Sequence, residues 1–327
     1  MLRISNISFP GLGIGEFSVD SVAFSIFGFD IAWYALLITI GMICCIAYVI
    51  IQSKKIGVTM DDVVDFALFT IPFGVIGARL YYVFSELDQY KSFWDVINIR
   101  QGGLAIYGGI IAGTITVVVV SYFKKINFFA FGDCVAPGVL LAQGIGRWGN
   151  FMNGEAFGYE TDIFCRMGLQ NVLTGGKLMF VHPTFLYESL WNLLGVLLVY
   201  LFAKFIGKKY DGQLILLTFG WYGLGRMFIE GLRTDSLYIP GTEIRTSQLL
   251  AAVIFIIFAA LLVFFAIKKP TKPLYVKVAA EGENKNGSNK SEDLLISKIK
   301  AIFAPKSDAK DEKKANNPKN KNGKNKK

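Results

Sequence analysis

Histidine occurs once in this chain, at position 182, and no two cysteines stand in a C-x-x-C spacing. Neither His-Glu-x-x-His, nor a Ser-His-Asp order, nor a paired intramembrane aspartate pattern is present, which takes weight from hydrolase readings. The four cysteines form no disulfide or metal-binding framework. Cys44, Cys45 and Cys134 read as buried and inert, whereas Cys165 lies in a polar loop. Charge is scarce as well, at 18% of residues, against 53% hydrophobic residues and a mean hydropathy of +0.45. A soluble protein of this size rarely averages so apolar, so the composition points to a membrane protein. The net charge of +9 does not argue for nucleic acid. Residues 1–268 carry 18 basic and 18 acidic side chains, and the excess sits in residues 269–327, with 16 basic and 7 acidic. A basic tail is not a folded basic groove, so no nucleic-acid partner is expected. The first long apolar run starts near Ile31 behind a weakly charged leader, and no cleavable signal peptide is expected.

What is present is apolar length. Seven segments are long enough to span a bilayer, near residues 31–52, 63–84, 103–123, 129–151, 183–206, 212–231 and 247–267. The expected fold is an all-α polytopic membrane protein, a bundle of about seven transmembrane helices with a small extracytoplasmic head. Lys54–Lys55, Lys124–Lys125, Lys204 with Lys208–Lys209, and Lys268–Lys269 follow alternate spans, and the positive-inside rule places those ends in the cytoplasm. Residues 1–30 are then an extracytoplasmic N-terminal segment ahead of a catalytic body at 31–268. The loops 85–102, 152–182 and 232–246 are outside, and the Lys-rich tail, 269–327, is cytoplasmic and mostly disordered. The expected location is the cell membrane.

The two ends differ in kind. The cytoplasmic flanks use lysine, whereas Arg100, Arg147, Arg226, Arg233 and Arg245 gather at the outer ends of spans. Arginine suits planar, bidentate recognition of phosphate, and lysine acts as a point charge. Arg100 and Arg245 read as interface anchors; Arg147 and Arg226 lie inside apolar segments, where a charge is costly unless paired or used.

Four stretches carry the candidates. GRWGNFMNGEAFG (146–158) sets Arg147, Asn150, Asn153 and Glu155 among glycines and aromatics. The GIGRWG within 144–149 follows no strand and opens no βαβ unit, so it is not a dinucleotide site. GGLAIYGGIIAG (102–113) holds a Gly109/Gly113 helix-packing pair and Tyr107 between two glycine pairs that packing leaves unexplained. That tyrosine is either an aromatic-belt anchor or a hydroxyl presented to a site. GLGRMFIEGLR (223–233) places Arg226 and Glu230 on one helical face as an ion pair, with Arg233 on the same side. VHPTFLYESL (181–190) opens a helix at Pro183 with His182, a candidate base, just before it. Together these describe an outward-facing, arginine-rich pocket at lipid head-group depth, suited to a phospholipid that is either moved or cut.

GRWGNFMNGEAFG closely resembles the signature of the prolipoprotein diacylglyceryl transferases, and every fixed position of that pattern is matched from Gly146 to Gly158. GARLYYV (77–83), GGLAIYGG, HPTFLYE and RMFIEGLR are similar to family segments in the expected order, so the likeness covers roughly residues 20–268. The resemblance implies transfer of the diacylglyceryl group of phosphatidylglycerol to the thiol of a lipobox cysteine in a prolipoprotein signal peptide. A thioether forms, glycerol phosphate is released, and no cofactor or metal takes part. It implies catalytic roles for Arg147, Arg226, Tyr107, Glu155 and Glu230, and phosphatidylglycerol contacts from Arg147, Asn150, Asn153, Gly158, Tyr34, Arg233 and His182. Many members have His where this chain has Tyr107, and Arg where it has Ala32. Because a phenol is a poor base at neutral pH, either Tyr107 hydrogen-bonds the lipid or proton removal falls to His182, a glutamate or a phosphate oxygen. The alternative is a phospholipid transporter or flippase with the same arginine pocket.

Overall fold

The computed structural model describes residues 4–90, 92–98, 102–270 and 273–277. These belong to one compact unit, Met1–Val278. Seven long helices stand close to where the apolar runs put them: α1 (Trp33–Ser53), α2 (Met60–Ser85), α4 (Ile106–Phe123), α5 (Phe128–Asn153), α6 (Thr184–Leu201), α7 (Gln213–Glu230) and α8 (Thr246–Lys268). A short α3 (Phe93–Ile97) lies in the loop between α2 and α4. Among the described residues six helices are long and apolar enough to cross a membrane. The seventh, α7, falls short because Arg226, Glu230 and a run of glycines dilute its apolar residues. Arg100 and residues 278–327, including nearly all of the tail expected to be disordered, lie outside the described residues.

Local chemistry fixes the helix ends. Thr59 and Asp62 form a reciprocal capping box at the start of α2. Asn127 caps α5, its side chain accepting from Phe129 and Ala130. Gly212 has no side chain to cap α7, so Asp133 of α5 does so from across the bundle, accepting from Gly212 N (2.9 Å) and Ile215 N (3.0 Å). Lys208 neutralises that carboxylate at 3.1 Å. The lysine-rich end is tied again by Lys124 and Lys277 on Asp62, at 3.0 and 2.6 Å. The Lys277 amide bonds Ile56 O at 2.8 Å, so residues 273–277 of the expected tail lie against the helices.

Glycines set the helix crossings, though at different positions from those the G-x-x-x-G spacing indicates. At Gly109 and Gly113 an added Cβ would make ordinary contacts. At Gly108 it would collide with Gly77 O, so the close α2–α4 crossing is Gly77 against Gly108, and packing does explain that residue.

The head is β-structure, which the sequence reading did not assign. Strands β1 (Ile4–Phe9), β2 (Ile14–Asp20), β5 (Met167–Gln170) and β6 (Met179–Val181) form an antiparallel sheet in the order β2-β1-β5-β6. A separate hairpin, β3 (Val22–Ile26) and β4 (Phe29–Ala32), leads into α1. Ile7 and Phe9, two apart on β1, point the same way and pack with Leu169 and Val181 against Phe151 and Phe185 at the ends of α5 and α6. The sheet is thereby seated on the arginine-bearing end of the bundle.

Candidate active site

The end of α5 builds the first half of the site. Gly154 ends the helix in the left-handed conformation (φ 62°), and its carbonyl accepts from Asn171 Nδ2 at 2.8 Å. A Cβ there would strike the Ser5 and Asn171 side chains, so only glycine lets the head close over this turn. The chain folds back until Glu155 N reaches Asn150 O at 3.1 Å. Asn150 Nδ2 and Asn153 Nδ2 both donate to Glu155 Oε1 at 3.0 Å, and Arg147 Nη1 donates to Asn150 Oδ1 at 3.3 Å. Four residues predicted together are therefore one bonded network.

The second half centres on Glu188, a residue the sequence reading passed over. Its carboxylate pairs with Arg147 Nη2 at 2.5 Å, Arg226 Nη1 at 2.7 Å and Arg233 Nη1 at 3.4 Å. The side chain is 5% exposed. Arg226 also pairs with Glu230 at 2.6 Å, as its spacing predicts, and Arg233 is held by Asp235 at 2.7 Å. Arg245 stays behind this layer, donating to Glu230 O at 2.6 Å and stacking on Tyr159 and Tyr238, which suits the anchoring role expected of it. One signal was available in the sequence: Glu188 is the only charged side chain in an otherwise apolar α6.

A cavity of about 510 Å³ runs from this cluster toward the lysine-rich end. Tyr34, Gly146, Arg147, Asn150, Ile106 and Tyr222 line its polar end. Val49, Val63, Phe66 and Phe131 line the other, where the two phenylalanine rings stack at 4.0 Å within a buried cluster. Tyr222 is a second residue the sequence did not single out. The cavity separates two arginines that the sequence treats alike: Arg147 faces it, while Arg226 stands one step behind, occupied by two carboxylates.

Tyr107 sits on the first turn of α4, half-exposed, with its ring 6.5 Å from that of Tyr81. The loop before it is organised by buried Arg79, which donates to the carbonyls of Asp95, Val96, Asn98, Gly102 and Gly103 at 2.7–3.0 Å. Gly103, at φ 78°, has no room for a Cβ beside that guanidinium. The first glycine pair is thus explained by Arg79.

Gly158 lies between two chain segments, its amide donating to His182 O and its backbone bridging to Arg233. A Cβ would meet His182 and Leu232 O, so this close approach requires glycine. His182 Nδ1 lies 3.2 Å from the Tyr187 hydroxyl, itself 3.5 Å from Cys165 Sγ. Burial pushes the imidazole below its usual 6.5, so it is neutral at pH 7. Burial alone would lower the Arg233 guanidinium, but Asp235 and the carboxylates of Glu188 and Glu230 outweigh it and push it up.

A helical membrane bundle with an arginine–carboxylate cluster at the head of an elongated apolar cavity is a protein built around an amphiphile with an anionic head group. Residues 21–264 match the family model described as prolipoprotein diacylglyceryl transferase. The chain belongs to the prolipoprotein diacylglyceryl transferase family. Among similar proteins are the phosphatidylglycerol–prolipoprotein diacylglyceryl transferase 1 of Clostridium perfringens, 43% identical over 79% of this chain and 100% of the relative, and the enzyme of the same activity name from Finegoldia magna, 44% identical over 73% and 92%. A Clostridioides difficile protein with that activity name is 43% identical over 72% of this chain and 91% of its own length.

Proposed function

We propose that this chain transfers the diacylglyceryl group of phosphatidylglycerol to the thiol of a lipobox cysteine in prolipoproteins, in the bacterial cell membrane, with the arginine-bearing end outside. The observation that carries the reading is Arg147, set between Glu188 and Asn150 at the mouth of an apolar cavity. A phosphodiester at that mouth meets the guanidinium, and the acyl chains follow the apolar walls.

Chemically, a C–S bond forms at the terminal glycerol carbon as its C–O bond to phosphate breaks. The electron pair leaves on the phosphate oxygen, where Arg147 stabilises the developing charge. Arg226, itself paired with Glu230, and Arg233 hold Glu188, and Glu188 holds Arg147 in place. Asn150 and Asn153, fixed by Glu155, offer amides to the phosphate and head-group hydroxyls. Tyr34 and Tyr107 border the lipid, and the Tyr107 hydroxyl donates to it. The thiol proton passes to His182, which is neutral and oriented by Tyr187. A transporter reading fits less well. Its pathway would carry polar or charged groups along its length, whereas here Arg147 and Asn150 gather at one end and the walls toward Phe66 and Phe131 are apolar.

The direct test is reconstitution of the chain with phosphatidylglycerol and a lipobox peptide, with mass spectrometry for a diacylglyceryl thioether on the peptide cysteine. The adduct is expected; its absence with folded protein and matched lipid would refute the proposal. A pH series tests the base. Activity is expected to fall as pH drops through the His182 pKa, below 6.5, because protonation removes the acceptor. Folded stability falls in the same direction: the unfolded imidazole takes up a proton near 6.5 while the partly buried one resists it. His182→Gln should abolish that acid limb of kcat; a limb retained in the variant rules His182 out as the proton acceptor.

A further inference from the structure

Phe66 and Phe131 stand where the cavity meets the lysine-rich end. With Val49 and Val63 they belong both to the cavity wall and to a buried cluster, and their rings stack at 4.0 Å. This floor is pinned from the segment that follows α8. Tyr275 packs against the cluster, its hydroxyl donating to Lys125 O at 3.1 Å and its amide to Asp211 Oδ2 at 3.0 Å. Lys277 pairs with Asp62, one helical turn before Phe66 on α2. Gly57, at φ 71°, has no room for a Cβ beside Lys277 O, so the segment lies directly on the turn between α1 and α2. Residues 275–277 thus tie together the connections before α2, α5 and α7 at the end of the bundle where the two rings close the cavity.

Helix α5 carries both ends of the cavity, and so sets its depth. Phe131 lies sixteen residues before Arg147, about 24 Å at 1.5 Å per residue. With the phosphate at Arg147, the glycerol unit takes up roughly one helical turn of that length, which leaves about 18 Å for acyl chains. One leaflet of a bilayer holds about 15 Å of hydrocarbon. A chain of ordinary membrane length therefore reaches the floor once it is extended, and a longer one must turn out sideways. Hydrophobicity does not sort such chains, because leaving the bilayer for this cavity exchanges one apolar surrounding for another. Shape does, since methylenes forced against buried, stacked rings are overpacking. We infer that the Phe66–Phe131 stack gauges acyl-chain length, setting the longest chain that fits in full and disfavouring longer diacylglyceryl donors. This rests on the transferase reading.

The experiment offers the full-length protein an equimolar mixture of dilauroyl, dipalmitoyl and dibehenoyl phosphatidylglycerol in detergent micelles, with a lipobox peptide as acceptor. Mass spectrometry reads the acyl composition of the peptide thioether early in the reaction. The three lipids compete for the same enzyme molecules, so the composition does not depend on the folded fraction. Wild type is expected to use the dibehenoyl lipid roughly tenfold less than the dipalmitoyl, the size of an overpacked apolar contact. Phe66→Ala opens space at the floor and should raise the dibehenoyl share several-fold. Ala67→Phe adds a ring to the cavity wall beside the floor, and should shift use from the dipalmitoyl toward the dilauroyl lipid. Loosened packing alone would not move the preferred length in opposite directions. A wild-type product that mirrors the lipid mixture, or one composition shared by all three proteins, would overturn the inference and leave the transferase reading intact. No thioether from any of the lipids with folded wild-type protein would instead overturn the transferase reading on which it rests.

Discussion

Glu188→Ala is expected to cost the protein stability as well as its activity. The carboxylate is the shared partner of Arg147, Arg226 and Arg233, whose side chains are 23%, 14% and 11% exposed. Removing it leaves Arg147 with no carboxylate partner, and leaves Arg226 and Arg233 to Glu230 and Asp235 alone. Breaking a buried ion pair by deleting one partner costs about 3–5 kcal/mol, because the remaining charge stays buried and uncompensated. That is a large share of a total stability of about 5–15 kcal/mol. Thermal unfolding in detergent should show the midpoint lowered by roughly 10 °C, with transfer undetectable. Glu188→Gln preserves shape and one acceptor, so it should fold better than the alanine variant yet transfer poorly, since its amide nitrogen opposes an arginine. An alanine variant with wild-type Tm and turnover would show that Glu188 does not organise the cluster.

How far the site was legible follows from how each residue signals itself. Arg147, Asn150, Asn153 and Glu155 sit within one helical end and its turn, so chain proximity alone groups them, and the structure bonds them into one network. Arg226 and Glu230 are four apart on one helix, a spacing that forces contact. Glu188 escaped because its partners come from α5, α7 and the loop after α7, and local spacing carries no trace of that convergence. Tyr222 is silent for a similar reason: in a membrane helix an aromatic residue facing lipid and one facing a cavity read alike. The spans were legible because hydrocarbon thickness dictates their length. The strands of the head were not. They are short, and β1 pairs with β5 across more than 150 residues, a register that only the assembled fold defines. Glycine misled in one place, since the G-x-x-x-G spacing marks Gly109 and Gly113 while the tight crossing falls at Gly108.

Arg147→Lys should separate chemistry from folding in a way that Glu188→Ala does not. Without the Arg147 guanidinium, Glu188 still has Arg226 and Arg233, so the buried carboxylate is not orphaned and Tm should change little. The lost function is geometric. Arg147 uses one terminal nitrogen on Glu188 and the other toward Asn150, so a planar group is fixed at the cavity mouth with both edges oriented. Lysine keeps the charge but offers a compact ammonium on a flexible stem, unable to pair with Glu188 and present a second, aligned donor to a phosphate oxygen. Removing one oriented donor from a developing oxyanion typically costs about 10²–10³ in rate. The expected result is a loss of that size in kcat with KM for phosphatidylglycerol less affected, because charge builds on the phosphate oxygen as the C–O bond breaks. A lysine variant with near wild-type kcat would mean that Arg147 supplies only charge, and the leaving-group role would pass to the arginines behind it.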